Sequence, residues 1–407
     1  MSKKLIQFGA GNIGRSFIGQ LFAQNGYEVV FVDINQKLID ELNSKGQYKC
    51  VIKKNNTDDK TLVIKNVRAI HFDNKDQILK EFEDAAILST SVGKSALIHI
   101  IPIIAKGLIR RVSLLDNYPI DIIIAENLRN AADFLYEQLS KYVPTAFNLN
   151  KTIGMVETSI GKMVPIMEEA DLQIDPLWVF AEEYNNLIVD KKGFITKIPD
   201  IADISAKDNI SAYVDRKLFI HNLGHAAAAY FGSEYNNNFK YVYQALEIPE
   251  IYNKTKKCML QSAYALNKEY PLDLLITDLA DHIDDLLFRF QNIKLKDTIY
   301  RIGKDLKRKL DKNDRLTGAL LLAKKHNCPM NFILKAFNAS LLFSAVDQQG
   351  NLFGSDKDFI DNYNSRGLEY VINDICKLSW ENELEKSLID EIMHNKADNR
   401  HGIPQGC

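Results

Sequence analysis

A chain of 407 residues exceeds what one hydrophobic core ordinarily organises, so two domains are expected, each large enough to bury a core of its own. Hydrophobic residues at 46%, charged residues at 26% and a mean hydropathy of -0.19 are the balance of a soluble globular protein and exclude long disordered tracts. A formal net charge of -2 argues against a nucleic-acid partner while leaving room for a local basic pocket that takes a small anion.

The opening MSKKLIQFGAGNIG runs straight into an apolar strand and a glycine turn, so no secretory leader is expected. The longest apolar run, 95–108, contains His99 and Lys106 and falls short of the roughly 20 residues a membrane helix needs, so no membrane partner is expected either. Cys50, Cys258, Cys328, Cys376 and Cys407 form no CxxC pair, which fits a reducing cytoplasm and offers neither a disulfide framework nor a metal site.

Lys4 to Phe8 reads as a short buried strand, followed by GAGNIG and a helical pattern over 15–25. Gly9, Gly11 and Gly14, with Ala10, Asn12 and Ile13 between them, have GxGxxG spacing, and between a strand and a helix this is a dinucleotide fingerprint. Gly9 allows the tight turn, Gly11 removes a side chain that would block the pyrophosphate, and Gly14 lets helix and strand pack closely. The helix N-terminus then offers free N–H groups to the phosphates. The second strand, 28–32, ends in Asp33, where a carboxylate accepts from the adenosine ribose hydroxyls and repels a 2'-phosphate. Ile34, Asn35 and Gln36 supply no arginine, so NAD rather than NADP is expected, the alternative for Asp33 being an ordinary turn residue.

Residues 47–72 alternate around the polar turn NNTDDK and predict a small antiparallel insertion. Ala85 to Ser89 predicts a buried parallel strand ending in STSVGKS. Ligands bind beyond the carboxyl ends of such strands, which places Thr90, Val92 and Gly93 beside the nicotinamide half of the cofactor. Ile120 to Ala125 is the next strand, running into a helix that opens with Glu126 and Asn127; Asn127 is either an amide facing the pocket or a helix cap. Further strands are expected in 153–159 and 178–189, and a domain boundary in the polar stretch 191–200. The fold expected is thus an α/β Rossmann-type domain with an antiparallel insertion over 1–195 and a mainly helical substrate and catalytic domain over 196–407. Within the latter, helices are read at 210–230, 237–247, 249–269, 273–291, 294–311, 313–326, 328–344, 355–375 and 383–395, with a loose tail from about 396.

The stretch 213–230, YVDRKLFIHNLGHAAAAY, places an amine, an amide and an imidazole on one helix. At 100° per residue Lys217, His225 and Asn222 fall within an arc of about 140°, so all three can line one pocket, the alternative being that Lys217 and His221 are solvated and Asn222 and His225 are satisfied core polar groups. The thin wall made by Gly224 and Ala226 to Ala229 admits close approach of a ligand or of a second element.

GAGNIGRSFIG with VDIN after it, AENL at the fifth strand and DRKLFIHNLGH resemble the polyol-specific long-chain dehydrogenases, the mannitol dehydrogenase family. The last of these matches that family's KxxxxNxxH motif at Lys217, Asn222 and His225, and the likeness runs to about Leu316. Two positions depart from the pattern: Gly161 and Lys162 stand where an Asp-Arg pair is common, and His221 replaces a small or polar residue.

The resemblance implies an NAD-dependent enzyme that needs no metal. Lys217 would be the general base, Asn222 and Asn127 donors to the reacting oxygen, and His225 a group that orients this oxygen or the next hydroxyl. It also implies interconversion of D-mannitol 1-phosphate and D-fructose 6-phosphate. Arg301, Arg308 and Lys309, within the basic run 301–315, are the candidates for holding the substrate phosphate, the alternative being a solvated face. The other readings are a fructuronate or tagaturonate reductase, a dehydrogenase of an unphosphorylated polyol, and a non-catalytic NAD-binding sensor. A monomer or small homo-oligomer acting on a small sugar phosphate is the expected form.

Overall fold

A computed structural model of the chain describes residues 3–115, 118–165 and 167–400. It divides into two compact units, Met1–Val214 and Asp215–Cys407. The first unit holds eleven strands among its described residues: β1 Lys4–Phe8, β2 Glu28–Asp33, β3 Gln47–Ile52, β4 Lys60–Lys65, β5 Val67–His71, β6 Ile87–Thr90, β7 Ile120–Ile124, β8 Ile153–Ser159, β9 Val179–Ala181, β10 Leu187–Asp190 and β11 Ile204–Lys207. Eight of them form one sheet in the order β11-β10-β8-β7-β6-β1-β2-β5. Its strand pairs are parallel except β8 with β10. Because β1, β6 and β7 are covered on both faces, as in a parallel sheet, every residue of each is buried, including Lys4, Gln7, Ser89, Thr90 and Asp121.

The expected insertion is present as the antiparallel pair β3 and β4, but it is shorter than the sequence pattern implied. Asn66, at φ 62, ends it, and Val67–His71 pair with β2 in the main sheet instead. The stretch read as one strand over 178–189 is two strands in different sheets, since β9 joins β3 and β10 joins β8. The break is held by Glu182, whose carboxylate accepts from the Met163 N–H. The loop at 191–200 connects β10 to β11, and the first unit continues to Val214.

Described elements of the second unit are helical, apart from one isolated bridge between Tyr241 and Thr298. Helices occur at Pro249–Glu269, Ile276–Phe290, Thr317–Lys325, Asn331–Leu341 and Glu383–Arg400 among others. The tail expected from about 396 begins within the last of these, and 401–407 lie outside the described residues. The single helix read over 294–311 is instead three short turns, with Lys296 and Asp305 in the left-handed region at φ 52 and 71. Asp356 fixes the second break by accepting the N–H groups of Asp305 at 2.9 Å and Leu306 at 2.8 Å. No described helix is long and apolar enough to cross a membrane, and Cys50, Cys258, Cys328 and Cys376 are buried free thiols.

Candidate functional site

The parallel register brings the carboxyl ends of several strands of the first unit to one level. Phe8 pairs with Val32 and Thr90, and Thr90 with Ile124. Gly9 turns the chain at φ 92, and a Cβ on it would lie 2.6 Å from the Ser91 carbonyl oxygen. A Cβ on Gly14 would come within 2.1 Å of the Gly9 carbonyl oxygen, so only glycine lets the helix sit this close to the turn. Gly11 is exposed, with nothing within 4 Å of where its Cβ would be, and it opens the helix beside the exposed Asn12 and half-buried Ile13. Two glycines close the loop and the third keeps the space before the helix clear, an arrangement that fits a dinucleotide pyrophosphate.

Asp33 stands at the end of β2, and its carboxylate already works within the protein. Oδ2 accepts from the Ala10 N–H at 2.7 Å, while Oδ1 accepts from Ile34 at 2.8 Å and Asn35 at 3.0 Å. It latches the glycine loop to the strand. Arg15, which the sequence reading passed over, secures the loop from behind: its Nε donates to the Ala10 carbonyl and its terminal nitrogen to the Leu177 carbonyl, both at 2.7 Å. Burial lowers the pKa of this guanidinium. Its one sequence signal is a charge directly after the last fingerprint glycine.

Thr90 is fully buried at the end of β6, whereas Val92 and Gly93 form the turn beyond it, with Gly93 exposed. Glu126 shapes that turn, its two carboxylate oxygens accepting the Val92 and Gly93 N–H groups at 2.9 Å each. Burial raises the pKa of Glu126. Asn127, exposed, lies in the loop after β7, and the helix expected to open there starts at Ala131, so Asn127 is not its cap. Lys162, where an arginine was expected from the family pattern, is buried inside the first unit. Its ammonium donates to Asn185 at 2.7 Å and to Gln20 at 3.4 Å.

Lys217, Asn222 and His225 belong to the second unit. The run from Ile210 to Tyr235 is helical throughout, but Lys217–Asn222 is a π-turn with i→i+5 closure. On a regular helix Asn222 would stand about 140° from Lys217. A π-turn takes more residues than an α-turn, so here Asn222 stands closer to the face of Lys217 than regular spacing gives. Lys217 is partly buried, and burial, followed by the positive charge of Arg315, pushes its pKa down to about 8. Arg315 reaches towards the Asn222 carbonyl at 3.5 Å. His225 is buried and stacks on Phe290 with ring centroids 4.3 Å apart and planes 7° from parallel. Burial, then Arg301, Arg315, Lys309 and Arg289, hold its pKa well below the ordinary imidazole range. His221 packs edge-on against the same phenyl ring at 5.5 Å.

The small residues along this helix serve a second element rather than a ligand. Ala226 to Ala229 are fully buried, and a Cβ on Gly224 would meet Met259 Sδ at 2.4 Å on the helix Pro249–Glu269. The basic run does not make one continuous face, because the chain turns at Lys304 and Asp305. Arg308 is half-exposed and held by Asp305 at 2.5 Å and Asp314 at 3.1 Å. Lys309 is buried, donates to the Lys304 carbonyl, and is pushed down to about 6, mainly by burial, so it is largely neutral at pH 7. Arg301 pairs with Asp297, and Arg315 with Asp314 at 2.7 Å. Among the described residues no group of three or more His, Cys, Asp or Glu side chains gathers as a metal cage.

A glycine loop between the first strand and a helix, at the head of a parallel sheet, defines a dinucleotide-binding Rossmann domain. Family models place the chain further. The mannitol dehydrogenase Rossmann domain matches residues 3–203 and the mannitol dehydrogenase C-terminal domain matches 209–394. Among curated relatives, the mannitol-1-phosphate 5-dehydrogenase of Buchnera aphidicola subsp. Acyrthosiphon pisum (strain APS) is 32% identical over 95% of this chain and 97% of its own. That of Thermoanaerobacter pseudethanolicus is 32% identical over 95% and 96%. The chain therefore belongs to the mannitol dehydrogenase family, a family of NAD-dependent oxidoreductase enzymes. Its fold is shared with Pseudomonas fluorescens mannitol 2-dehydrogenase, solved with NAD and D-mannitol, at a TM-score of 0.67 and 14% identity over 97% and 94% of the two chains. A D-sorbitol dehydrogenase solved free of substrate gives a TM-score of 0.74 and 16% identity over 98% and 93%.

Proposed function

We propose that the chain interconverts D-mannitol 1-phosphate and D-fructose 6-phosphate with NAD, using Lys217 as general base in place of a metal. The observation that carries this reading is a half-buried lysine, Lys217, opening a π-turn that closes on Asn222, where burial and the charge of Arg315 bring its pKa down to about 8. An ordinary lysine, near 10.4, is almost wholly protonated at neutral pH and cannot take a hydroxyl proton. Burial makes the neutral amine accessible. NAD, held by the Gly9–Gly14 loop, Asp33 and the Val92–Gly93 turn, supplies the hydride acceptor when bound. Lys217 removes the proton from the C5 hydroxyl, and the Asn222 amide donates to that oxygen as negative charge gathers on it. Arg301 and Arg315, each paired with one carboxylate, are the cations proposed to meet the substrate phosphate, since Arg308 is exposed and paired with two and Lys309 is pushed down to about 6. The curated relatives named mannitol-1-phosphate 5-dehydrogenase, similar along nearly the whole chain, support the phosphorylated substrate.

The test is NADH turnover with fructose 6-phosphate, fructuronate and fructose compared side by side. Fructose 6-phosphate is expected to have the highest kcat/KM, about 10- to 100-fold above fructose, since a charge-assisted phosphate contact contributes roughly 1.5–3 kcal/mol. An equal or better rate with fructuronate overturns the substrate assignment. NADH binding without turnover of any of the three points to a sensor.

Cofactor choice follows from the place of Asp33 at the end of β2, with no arginine in the next three residues. NADPH is expected to be at least ~10-fold less efficient than NADH, a modest electrostatic penalty for setting a 2'-phosphate beside a carboxylate. Asp33→Ala should narrow that ratio, and it should also lower Tm, because the Ala10, Ile34 and Asn35 N–H groups lose their acceptor. Equal efficiency with NADPH in the unmodified enzyme contradicts the assignment.

A further inference from the structure

Deep in the second unit, His225 Nε2 and Asp297 Oδ2 are both enclosed and lie 3.2 Å apart, and neither has a hydrogen-bond partner. Asp297 is only 5% exposed and His225 8%, so bulk water does not reach the two atoms. The other oxygen of the carboxylate, Oδ1, is taken by the Arg301 guanidinium. Phe290, 2% exposed and stacked on the imidazole, fixes the plane of the ring but not the position of its proton.

From this geometry we infer that Asp297 is a positioning residue that keeps the proton of neutral His225 on Nε2, leaving Nδ1 as a hydrogen-bond acceptor for a sugar hydroxyl. A bare ring nitrogen facing a carboxylate oxygen at this distance would set two lone pairs against each other in a medium of low dielectric, and both groups would stay unsatisfied. A proton on Nε2 removes the repulsion, and a small rotation of either group brings N–H and oxygen into line. The neutral imidazole has one N–H and one acceptor, so fixing the proton on Nε2 makes Nδ1 the acceptor. His225 then accepts from the substrate rather than donating to it. The Arg301 contact gives the same carboxylate a second function, joining the imidazole to a cation proposed for the phosphate. The tautomer follows from the protein alone, and only its use on a sugar hydroxyl rests on the proposed reaction.

The direct test is the 15N spectrum of the intact enzyme carrying ring-labelled histidine, with His225→Asn identifying the resonances that belong to His225. Protonated Nε2 and bare Nδ1 are expected in the unmodified protein, and the opposite pattern there overturns the inference even if Asp297→Asn does not fold. In Asp297→Asn the single amide oxygen is expected to remain with Arg301 and the NH2 to face Nε2, so the tautomer should invert; an unchanged tautomer also overturns it. Kinetics supply an independent measure. Asp297→Asn and His225→Asn are each expected to lower kcat about 10-fold or more with unchanged NADH affinity, and the double variant should lose little beyond the larger single loss. Fully additive losses sink the coupling. Failure of the proposed reaction would show instead as turnover that survives loss of Lys217, with the His225 tautomer unaffected.

Discussion

Lys217→Ala is expected to lower kcat by more than ~100-fold while leaving NADH affinity nearly unchanged. The first effect is the span that general-base catalysis ordinarily supplies. The second follows because the glycine loop and Asp33 belong to the other unit of the chain. The pH dependence carries the sign of the assignment. Burial disfavours the ammonium and brings Lys217 down to about 8, so the neutral amine predominates above that value. The rate of alcohol oxidation, as kcat/KM, should therefore rise with pH through about 8 and level off. Ketone reduction, which needs the ammonium as acid, should fall over the same range. Lys217→Ala should abolish both limbs. A folded variant that binds NADH and retains near-normal turnover with an unaltered profile would exclude Lys217 and leave His225 as the next base to test.

Paired substitutions in the glycine loop should separate folding from cofactor binding. A methyl group on Gly14 would stand 2.1 Å from the Gly9 carbonyl oxygen and 3.0 Å from Ser91 Oγ, so the helix or the turn must move. Gly14→Ala is expected to destabilise the first unit by about 1–3 kcal/mol, the usual cost of overpacking, and to weaken NADH binding as the loop distorts. Gly11→Ala meets no protein atom within 4 Å and should leave Tm unchanged. It should still weaken NADH binding about 10-fold or more, because its methyl occupies the space proposed for the pyrophosphate. Thermal melts with NADH titrations distinguish the two. Equal binding losses and equal melts would show that the loop does not divide its labour in this way.

The fingerprint Gly9, Gly11 and Gly14, the carboxylate of Asp33 and the KxxxxNxxH motif at Lys217 are readable without coordinates, because each is a local pattern whose chemistry depends on spacing within one element. The same holds for the buried strands β1, β6 and β7, where burial on both faces leaves short, mainly apolar runs. Spacing failed where the backbone left its regular period. The π-turn at Lys217–Asn222 changes which side chains share a face, and a rule of 100° per residue cannot anticipate it. The basic run 301–315 looked continuous, yet Asp356, about 50 residues away, holds the chain bent at Asp305 and Leu306 and so decides which cations turn together. The small residues Gly224 and Ala226 to Ala229 signalled close approach, but only the packing against Met259 identified what approaches. The sequence carried Glu126 within AENL but gave no signal of its role, and none of that of Asp297. Their roles come from partners far along the chain, Val92 and Gly93 for one and His225 for the other. Sequence alone determined the fold class and the candidate reactive groups, because these are carried by local periodicity and motif. Tertiary structure alone decided the state of those groups, because burial and the charges that surround each one are set by residues distant in sequence.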